Sequence, residues 1–139
     1  MIDFNNEQKK SIRDIANYLV STSHKFYLLQ GYAGTGKSTI ITQLLQHKLF
    51  TEKKIAMCAT TNKAVSVLES LFPAGKYVHF MTIHKLLKIR RIIGSDGTEL
   101  YISKLDSEGG SNSSKFKSIG YYDIIIIDEA SMVSYELFN

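Results

Sequence analysis

The stretch FYLLQGYAGTGKST, residues 26 to 39, decides the fold of this chain. A short apolar run leads into a glycine-rich turn, and apolar residues at helical spacing follow, which predicts a buried strand, a loop and a helix. Within the stretch, Gly31, Gly36, Lys37 and Ser38 fill the pattern G-x-x-x-x-G-K-[ST]. This pattern predicts a loop that binds the phosphates of a nucleotide.

Each residue type in this loop suits a polyphosphate ligand. Glycines let successive backbone N–H groups point inward, and the following helix adds the positive end of its dipole. Lys37 would place an ammonium between the β- and γ-phosphates, while the Ser38 hydroxyl is a hard oxygen ligand suited to Mg²⁺. An ordinary glycine turn is the alternative, and the flanking strand and helix argue against it. The residues predicted to surround the phosphates are Gly31, Ala33, Gly34, Thr35, Gly36, Lys37, Ser38 and Thr39.

Length and composition limit the classes of protein. A chain of 139 residues has room for one domain with one core. Its 44% hydrophobic and 22% charged residues are ordinary for a soluble protein, and it shows neither a membrane-spanning run nor a secretory signal. The single cysteine, Cys58, lies in an apolar stretch, which predicts a small core residue and a cytoplasmic location. The net charge of +4 permits nucleic-acid binding without requiring it.

Helices and strands alternate along the chain. We expect an amphipathic helix over residues 6 to 20, capped by Asn5 with Gln8 at its third position. The loop helix should reach Leu49, and a strand over 54 to 59 should lead into a helix that Pro73 and Gly75 end. A brief strand at 77 to 80 and a short basic helix at 85 to 89 follow. This alternation predicts an α/β fold with a parallel sheet and helices on both faces.

The character of the sequence changes between residues 90 and 122. Residues 91 to 103 predict a small β-hairpin with Asp96 and Gly97 at its tip, inserted outside the parallel sheet. Residues 106 to 118 are rich in glycine and serine, which predicts a mobile loop. The apolar strand DIIII, residues 123 to 127, then predicts the central strand of the sheet.

Two carboxylates, Asp128 and Glu129, come directly after this apolar strand. Because ligands bind at the carboxyl ends of parallel strands, we expect the pair to face the phosphate loop. Asp128 should then hold a water on the Mg²⁺ that Ser38 binds, and Glu129 is the second acid. An acid pair favours nucleotide hydrolysis over phosphotransfer, because hydrolysis needs a base or a positioner for water. Alternatively, Asp128 only caps a helix that starts at Met132.

Five blocks now stand in a fixed order: FNNEQ at 4 to 8, GYAGTGKST at 31 to 39, ATTNKAV at 59 to 65, TIHKLLKI at 82 to 89 and IIIIDEAS at 124 to 131. Together they resemble superfamily 1 DNA helicases of the RecD and bacteriophage Dda kind. The resemblance implies a P-loop NTPase of RecA-like fold over residues 1 to 139, a three-layer sandwich with the hairpin region at 90 to 122 inserted. It also implies ATP and Mg²⁺ as cofactors and ATP-driven movement along single-stranded DNA, 5′ to 3′, with duplex unwinding.

The resemblance also implies partners. These are single-stranded DNA, its junctions with duplex, and a second RecA-like domain of the same protein, with no membrane and a monomeric state. The chain stops at Asn139, whereas the resembling helicases continue, so we expect a fragment of a longer bacterial or viral protein. The second domain supplies arginines to the γ-phosphate, so this piece should bind ATP and hydrolyse it poorly.

Individual residues receive roles from the same resemblance. Gln8 corresponds to a glutamine that reads adenine, Lys37 and Ser38 to the phosphate and Mg²⁺ ligands, and Asp128 and Glu129 to the Mg²⁺ and water-activating acids. The hairpin at 91 to 103 occupies the place where Dda-like enzymes insert a pin, and we expect Leu100 or Tyr101, apolar residues beside the exposed turn, to lie near its tip and wedge the duplex. Residues that would contact the DNA strand are Thr60, Thr61, Asn62, Lys63, Thr82 and His84. Dda has histidine where Asn62 stands, a departure from the pattern at one of the residues that would contact the strand.

Several of these residues have a structural alternative. Gln8 could serve only in a capping box, and Thr61 and Asn62 could simply cap their helix. His84 could be a buried histidine with its polar atoms satisfied, and Lys85, Lys88, Arg90 and Arg91 could form a solvated basic face. At the level of function, a nucleotide-gated clamp or scaffold on single-stranded nucleic acid stays open, as does an RNA helicase or a viral capping-associated ATPase.

Overall fold

A computed structural model of the chain describes residues 3–21, 26–72, 75–103 and 119–133, with the backbone alone at 49, 90, 91 and 99–103. The chain forms two compact units, Met1–Glu52 and Lys53–Asn139. The predicted mobile loop at 106 to 118 and the predicted helix stop at Pro73 lie outside the described residues. None of the described helices is long and apolar enough to cross a membrane.

Helices make up the first unit. Helix α1 spans Asn6–Val20, as the sequence predicts, and Asn5 caps it through a complete capping box. The predicted loop helix is divided in two, α2 (Lys37–Gln46) and α3 (Lys48–Thr51). The break falls at His47, whose backbone is extended and whose carbonyl accepts a 2.8 Å bond from the Phe50 N–H. The buried side chains of these helices are Ile15, Ile40, Leu44, Leu45 and Phe50.

The apolar run before the phosphate loop differs from the prediction. Residues 26–30 are not assigned to a strand, and Phe26 and Leu28 are exposed rather than buried. A strand exists only where a partner completes its ladder of backbone hydrogen bonds, and the described part of the first unit contains helices alone. The apolar composition of residues 26–30 is therefore not enough to make a strand, and the prediction of a buried strand is wrong for these residues.

A parallel sheet forms the core of the second unit. Its strands are β1 (Ile55–Ala59), β2 (Val78–Thr82) and β5 (Ile124–Ile127), in the order β2-β1-β5. The register pairs Ile55 with both Val78 and Ile124, so all three strands run in step. Helix α4 (Asn62–Leu71) packs on β1 and β2, and α5 (Ile83–Leu86) packs beside the same strands. The fold is thus α/β, a parallel sheet flanked by helices.

The central strand is β1, and the prediction that the isoleucine-rich strand is central is wrong for the described residues. All five residues of β1 are buried, whereas all four of β5 are only half-buried. The small side chains of Ala56 and Cys58 let Ile83 and Leu86 of α5 pack closely in one cluster. Strand β5 pairs with β1 along one edge only in this part of the chain. A run of isoleucines therefore does not by itself mark the central strand of the described sheet.

Strand β2 and helix α5 both begin and end at other residues than predicted. The strand runs on to Thr82, and the helix starts at Ile83 rather than at residue 85. Thr82 ends one element and starts the next, because its hydroxyl accepts a 3.2 Å bond from the Lys85 N–H. Lys88 follows with a φ of 55°, a left-handed conformation, and turns the chain into the next strand.

The predicted hairpin is confirmed and starts two positions earlier. Strands β3 (Ile89–Ile93) and β4 (Glu99–Ser103) pair antiparallel outside the parallel sheet. Their turn closes through a 2.7 Å bond from the Gly94 N–H to the Thr98 carbonyl. The Thr98 hydroxyl and N–H both donate to the Asp96 carboxylate, which lowers the pKa of that carboxyl below its usual value.

The start of β5 is fixed by a side chain. The Asp123 carboxylate accepts a 2.8 Å bond from the Lys54 N–H, and the Asp123 N–H donates back to the Lys54 carbonyl at 2.8 Å. The Lys54 ammonium lies 4.5 Å from the centre of the Tyr121 ring, at a distance typical of a cation–π contact. These contacts join residues far apart in the chain and hold β1 and β5 in register.

Candidate functional site

The phosphate loop enters α2 through glycines in unusual conformations. Gly34 and Gly36 have φ values of 78° and 85°, which favour glycine because no Cβ collides with the backbone. Gly36 is the N-cap of α2 and offers no side chain to cap it. A helix N-terminus that carries no side-chain cap presents its N–H groups to a ligand, and an anion suits them best.

Lys37 lies across the loop that precedes it. Its ammonium donates to the carbonyl of Gly31 at 2.7 Å and to that of Tyr32 at 2.9 Å. The Thr35 hydroxyl donates to the same Tyr32 carbonyl at 2.8 Å. A Cβ on Gly31 would come within 2.6 Å of the Thr35 hydroxyl, so a larger residue here would have to push that hydroxyl aside. The predicted lysine, glycines and threonine are thus brought together in one bonded loop.

The remaining predicted ligands of the nucleotide lie on the turn and the first turn of α2. Ala33 and Ser38 are exposed, and Thr39 is half-buried. Ser38 occupies the second position of α2, and its carbonyl accepts a 2.9 Å bond from the Thr42 hydroxyl. The contacts of Ser38 with Mg²⁺ and of Ala33 and Thr39 with a nucleotide stay predictions.

Gln8 has a contact that the sequence did not indicate. Its side-chain oxygen accepts a 3.1 Å bond from the Asn5 N–H, which completes the predicted capping box. Its amide nitrogen donates to the carbonyl of Thr35 at 3.1 Å, across 27 positions of the chain. The sequence shows a capping-box pattern and a glycine loop, but neither pattern tells how close Gln8 and the loop lie in the fold.

The acid pair follows β5 directly. The Asp128 N–H donates to the Cys58 carbonyl at 2.9 Å and so extends the sheet ladder by one bond, while its side chain is exposed. Glu129 has φ 50° and ψ 47°, a left-handed conformation that is uncommon for glutamate. Such strain occurs at functional positions, where the surrounding structure holds it.

Asp128 does not cap a helix in the way that the structural alternative requires. A 3₁₀ turn spans Ala130–Met132, its N-cap is Glu129, and no side-chain bond caps it. The Glu129 carbonyl instead accepts a 2.8 Å bond from the Met132 N–H. The Asp128 carboxylate has no capping role in the described part of the chain.

The predicted nucleic-acid contacts gather at the same edge of the sheet as the acid pair. Because the strands are parallel and in step, Ala59 pairs with Thr82 and Cys58 pairs with Ile127. Thr60, which follows Ala59, and Asp128, which follows Ile127, therefore leave the sheet at one edge, together with Thr82. The sheet thus joins residue blocks that the sequence separates.

Some of these residues also have the structural role that the sequence left open. The Thr61 hydroxyl accepts a 3.2 Å bond from the Ala64 N–H and caps α4. Asn62 begins α4, and Asn62 and Lys63 are exposed. His84 lies half-buried in α5, with Lys85 beside it exposed. Capping by Thr61 leaves the neighbouring exposed groups available to a ligand.

The predicted pin residues lie near the turn of the hairpin, one and two strand pairs from the pair beside it, and their contact with a duplex stays a prediction. Leu100 pairs with Ile92 and Tyr101 with Arg91, so both are further from the turn than the last pair, Ile93 and Glu99. The side chains of Leu100 and Tyr101 lie outside the described residues. Ile93, which the sequence did not single out as a pin residue, lies in the strand pair beside the turn and is 68% exposed. The apolar residue directly before Gly94 was the signal that could have found it.

Two groups of residues result, one in each unit. The phosphate loop and Gln8 are joined in the first unit, and the acid pair and the threonine blocks are joined at the sheet edge of the second. The expected approach of the acid pair to the phosphate loop stays a prediction.

Comparison with known proteins agrees with the loop geometry. The family model described as AAA domain matches residues 16–139, which is most of the chain. An uncharacterized protein of Acanthamoeba polyphaga mimivirus is 32% identical over 146 residues. That alignment covers 96% of this chain and 28% of the viral protein, so the chain spans less than a third of that relative.

Proposed function

The chain belongs to the AAA domain family of nucleotide-binding P-loop ATPases, and from that premise we propose that it is the ATP-binding domain of an ATP-dependent DNA helicase. ATP hydrolysis would drive movement along single-stranded DNA in the 5′ to 3′ direction and separation of a duplex. The observation that carries the proposal is the sheet edge where Asp128 and the blocks starting at Thr60 and Thr82 meet.

This arrangement supports coupling between a nucleotide and a strand. The backbone that holds Asp128 is bonded to Cys58, two positions before Thr60. A movement of the acid pair with the state of the γ-phosphate would therefore act on the end of β1. Thr61, Asn62 and Lys63 are exposed at that end, and hydroxyl, amide and ammonium groups of this kind bind nucleic-acid phosphates.

The roles of the residues follow from their chemistry. Lys37 would bind the β- and γ-phosphates, and Ser38 and Asp128 would hold Mg²⁺, the first directly and the second through water. Glu129 would position or activate the attacking water. Thr60, Thr61, Asn62, Lys63, Thr82 and His84 would contact the strand. The partners would be single-stranded DNA, its duplex junctions and a second RecA-like domain.

The first test is calorimetric titration of the 139-residue chain with Mg²⁺ and ATP. We expect binding that Lys37→Ala abolishes, because the ammonium provides the main charge against the phosphates. Lys10→Ala, an exposed lysine of α1, is the matched control and should bind as the unaltered chain does. Equal binding by Lys37→Ala and the unaltered chain would contradict the nucleotide site.

The second test addresses the nucleic acid. Single-stranded DNA and RNA of one sequence are compared for binding to this chain and, in the longer protein, for stimulation of ATP hydrolysis. DNA should bind, more weakly as salt rises, and should stimulate more than RNA. Stronger stimulation by RNA would indicate an RNA helicase. Stimulation by DNA without separation of a tailed duplex would indicate a clamp.

A further inference from the structure

We infer that Gln8 is a positioning residue of the phosphate loop, which its amide holds at Thr35 whatever base the nucleotide carries. The inference rests on the proposed nucleotide site and concerns how its loop is shaped. Under this inference Gln8 does not read the adenine, which is the role that the sequence resemblance implies.

The Gln8 side chain is fixed at both ends of its amide. The oxygen accepts from the Asn5 N–H at 3.1 Å, and the nitrogen donates to the Thr35 carbonyl at 3.1 Å. The Gln8 N–H in turn donates to the Asn5 side chain at 2.8 Å. The backbone N–H of Asn5 therefore holds the amide in one orientation, and the start of α1 acts as the support for the bond to the loop.

The contact continues to Gly36. A Cβ at Gly36 would collide with the Gln8 amide nitrogen, so the amide lies against the backbone of the residue that precedes Lys37. Gly36 also has a φ of 85°. Glycine suits this position because it adopts the left-handed φ and leaves room for the Gln8 amide.

Holding the Thr35 carbonyl has a direct effect on the phosphate cradle. In a trans peptide the carbonyl of Thr35 and the N–H of Gly36 point in opposite directions from one rigid plane. A bond that fixes the carbonyl toward Gln8 therefore fixes the Gly36 N–H away from it. Backbone N–H groups of such a loop bind phosphate oxygens, so the orientation of this peptide affects every polyphosphate, with or without a base.

The test compares ATP, GTP and inorganic tripolyphosphate, each with Mg²⁺, by calorimetric titration of the 139-residue chain. Gln8→Met keeps the length of the side chain and removes its hydrogen bonds without adding charge. We expect all three ligands to bind roughly three- to tenfold more weakly, the effect of one lost hydrogen bond. Loss of ATP binding alone, with GTP and tripolyphosphate unchanged, would overturn the inference and assign Gln8 to the adenine.

The control is Asn5→Ala, which removes the helix cap and leaves the Gln8 amide in place. It should lower the stability of α1 without the common weakening for the three ligands. Equal weakening by Asn5→Ala and Gln8→Met would overturn the inference, because helix capping alone would then explain the effect.

A second measurement is independent of any ligand. Hydrogen exchange of the amides at 32 to 37 should become faster in Gln8→Met and stay unchanged in Asn5→Ala. Unchanged exchange in Gln8→Met would overturn the inference even if the ligands bind. If the unaltered chain binds none of the three ligands, the proposed nucleotide site fails, and the exchange result still decides whether Gln8 holds the loop.

Discussion

The phosphate loop of the first unit and the sheet edge of the second are held by different kinds of contact. In the loop, side chains such as Lys37 and Thr35 donate to nearby backbone carbonyls, and most of the residues are exposed. At the sheet edge, a buried strand and its parallel ladders place the residues, and β1 has no exposed side chain. The loop is therefore shaped by polar bonds, all short-range in the chain except the one from Gln8, and the sheet edge by packing.

This difference predicts where each region is sensitive. A polar loop on the surface should lose ligand affinity when a bond or a glycine changes, with little loss of stability. A packed edge should lose stability when a core side chain changes, because the cavity costs free energy. Four substitutions test the contrast, with expected effects that range from a large loss of stability to almost none at neutral pH.

The largest effect should come from Leu68→Ala. Leu68 of α4 is 2% exposed and packs on the strands of the second unit. We expect the free energy of unfolding to fall by about 2–5 kcal/mol, measured by urea denaturation. Val67→Ala on the same helix is the control, since Val67 is 49% exposed and should change stability little. An equal loss for both variants would show that packing does not hold this edge.

Gly31→Ala should act on the loop alone. Its methyl group would displace the Thr35 hydroxyl from the Tyr32 carbonyl, and we expect ATP to bind about tenfold more weakly, a loss of about 1.4 kcal/mol. Adding Thr35→Ala removes the colliding atom, so the double variant should bind no worse than Thr35→Ala alone. Gly120→Ala is the control because its Cβ would meet open space. Weaker binding by the double variant than by either single variant would contradict the collision.

Asp123→Ala should loosen the start of β5. The Lys54 N–H would lose its carboxylate partner, and we expect the free energy of unfolding to fall by about 1 kcal/mol. Hydrogen exchange at 124 to 127 should become faster. Asp123→Asn retains an acceptor and should recover most of the loss, whereas equal losses would assign the effect to charge.

The smallest effect at neutral pH should come from Cys58. Burial raises the pKa of the Cys58 thiol to about 11, from an ordinary value of 9.0. Below pH 9 the thiol is protonated in both states and has no effect on pH dependence. Above it, the unfolded chain releases the proton first, so stability should decline as pH rises from about 9 to about 11.

Urea denaturation of the unaltered chain and of Cys58→Ala across this range measures the effect. The free energy of unfolding is plotted against pH for both chains, and the difference between the two slopes measures the contribution of the thiol. Iodoacetamide should alkylate the unaltered chain at pH 8 only when it unfolds, because the side chain is 0% exposed. Rapid alkylation of the folded chain would show that β1 opens.

Much of the structure of the first unit, including the phosphate loop, could be predicted from local sequence patterns. Asn5 and Gln8, three positions apart, predicted the helix cap, and the glycines with Lys37 predicted the loop, because each depends on bonds between close neighbours. The same holds for Thr61, which caps α4 at a distance of three positions. Such bonds form wherever the local sequence allows them.

Contacts over long distances in the chain could not be predicted in this way. The bond from Gln8 to Thr35 and the bond from Lys54 to Asp123 depend on how whole elements meet. The apolar run at 26 to 30 has the composition of a strand but lacks ladder bonds, because a strand also needs a partner. The isoleucines of β5 suggested a central strand, although β1 lies between β2 and β5 in the described sheet.

The helix caps, the phosphate loop and the hairpin turn could be predicted from the sequence, because residues two to six positions apart make those bonds. The fold was needed to show that β1 is the central strand of the described sheet and that Asp128, Thr60 and Thr82 leave the sheet at one edge. Strand order and register depend on pairing between segments that are distant in the chain. No local pattern in the chain encodes either.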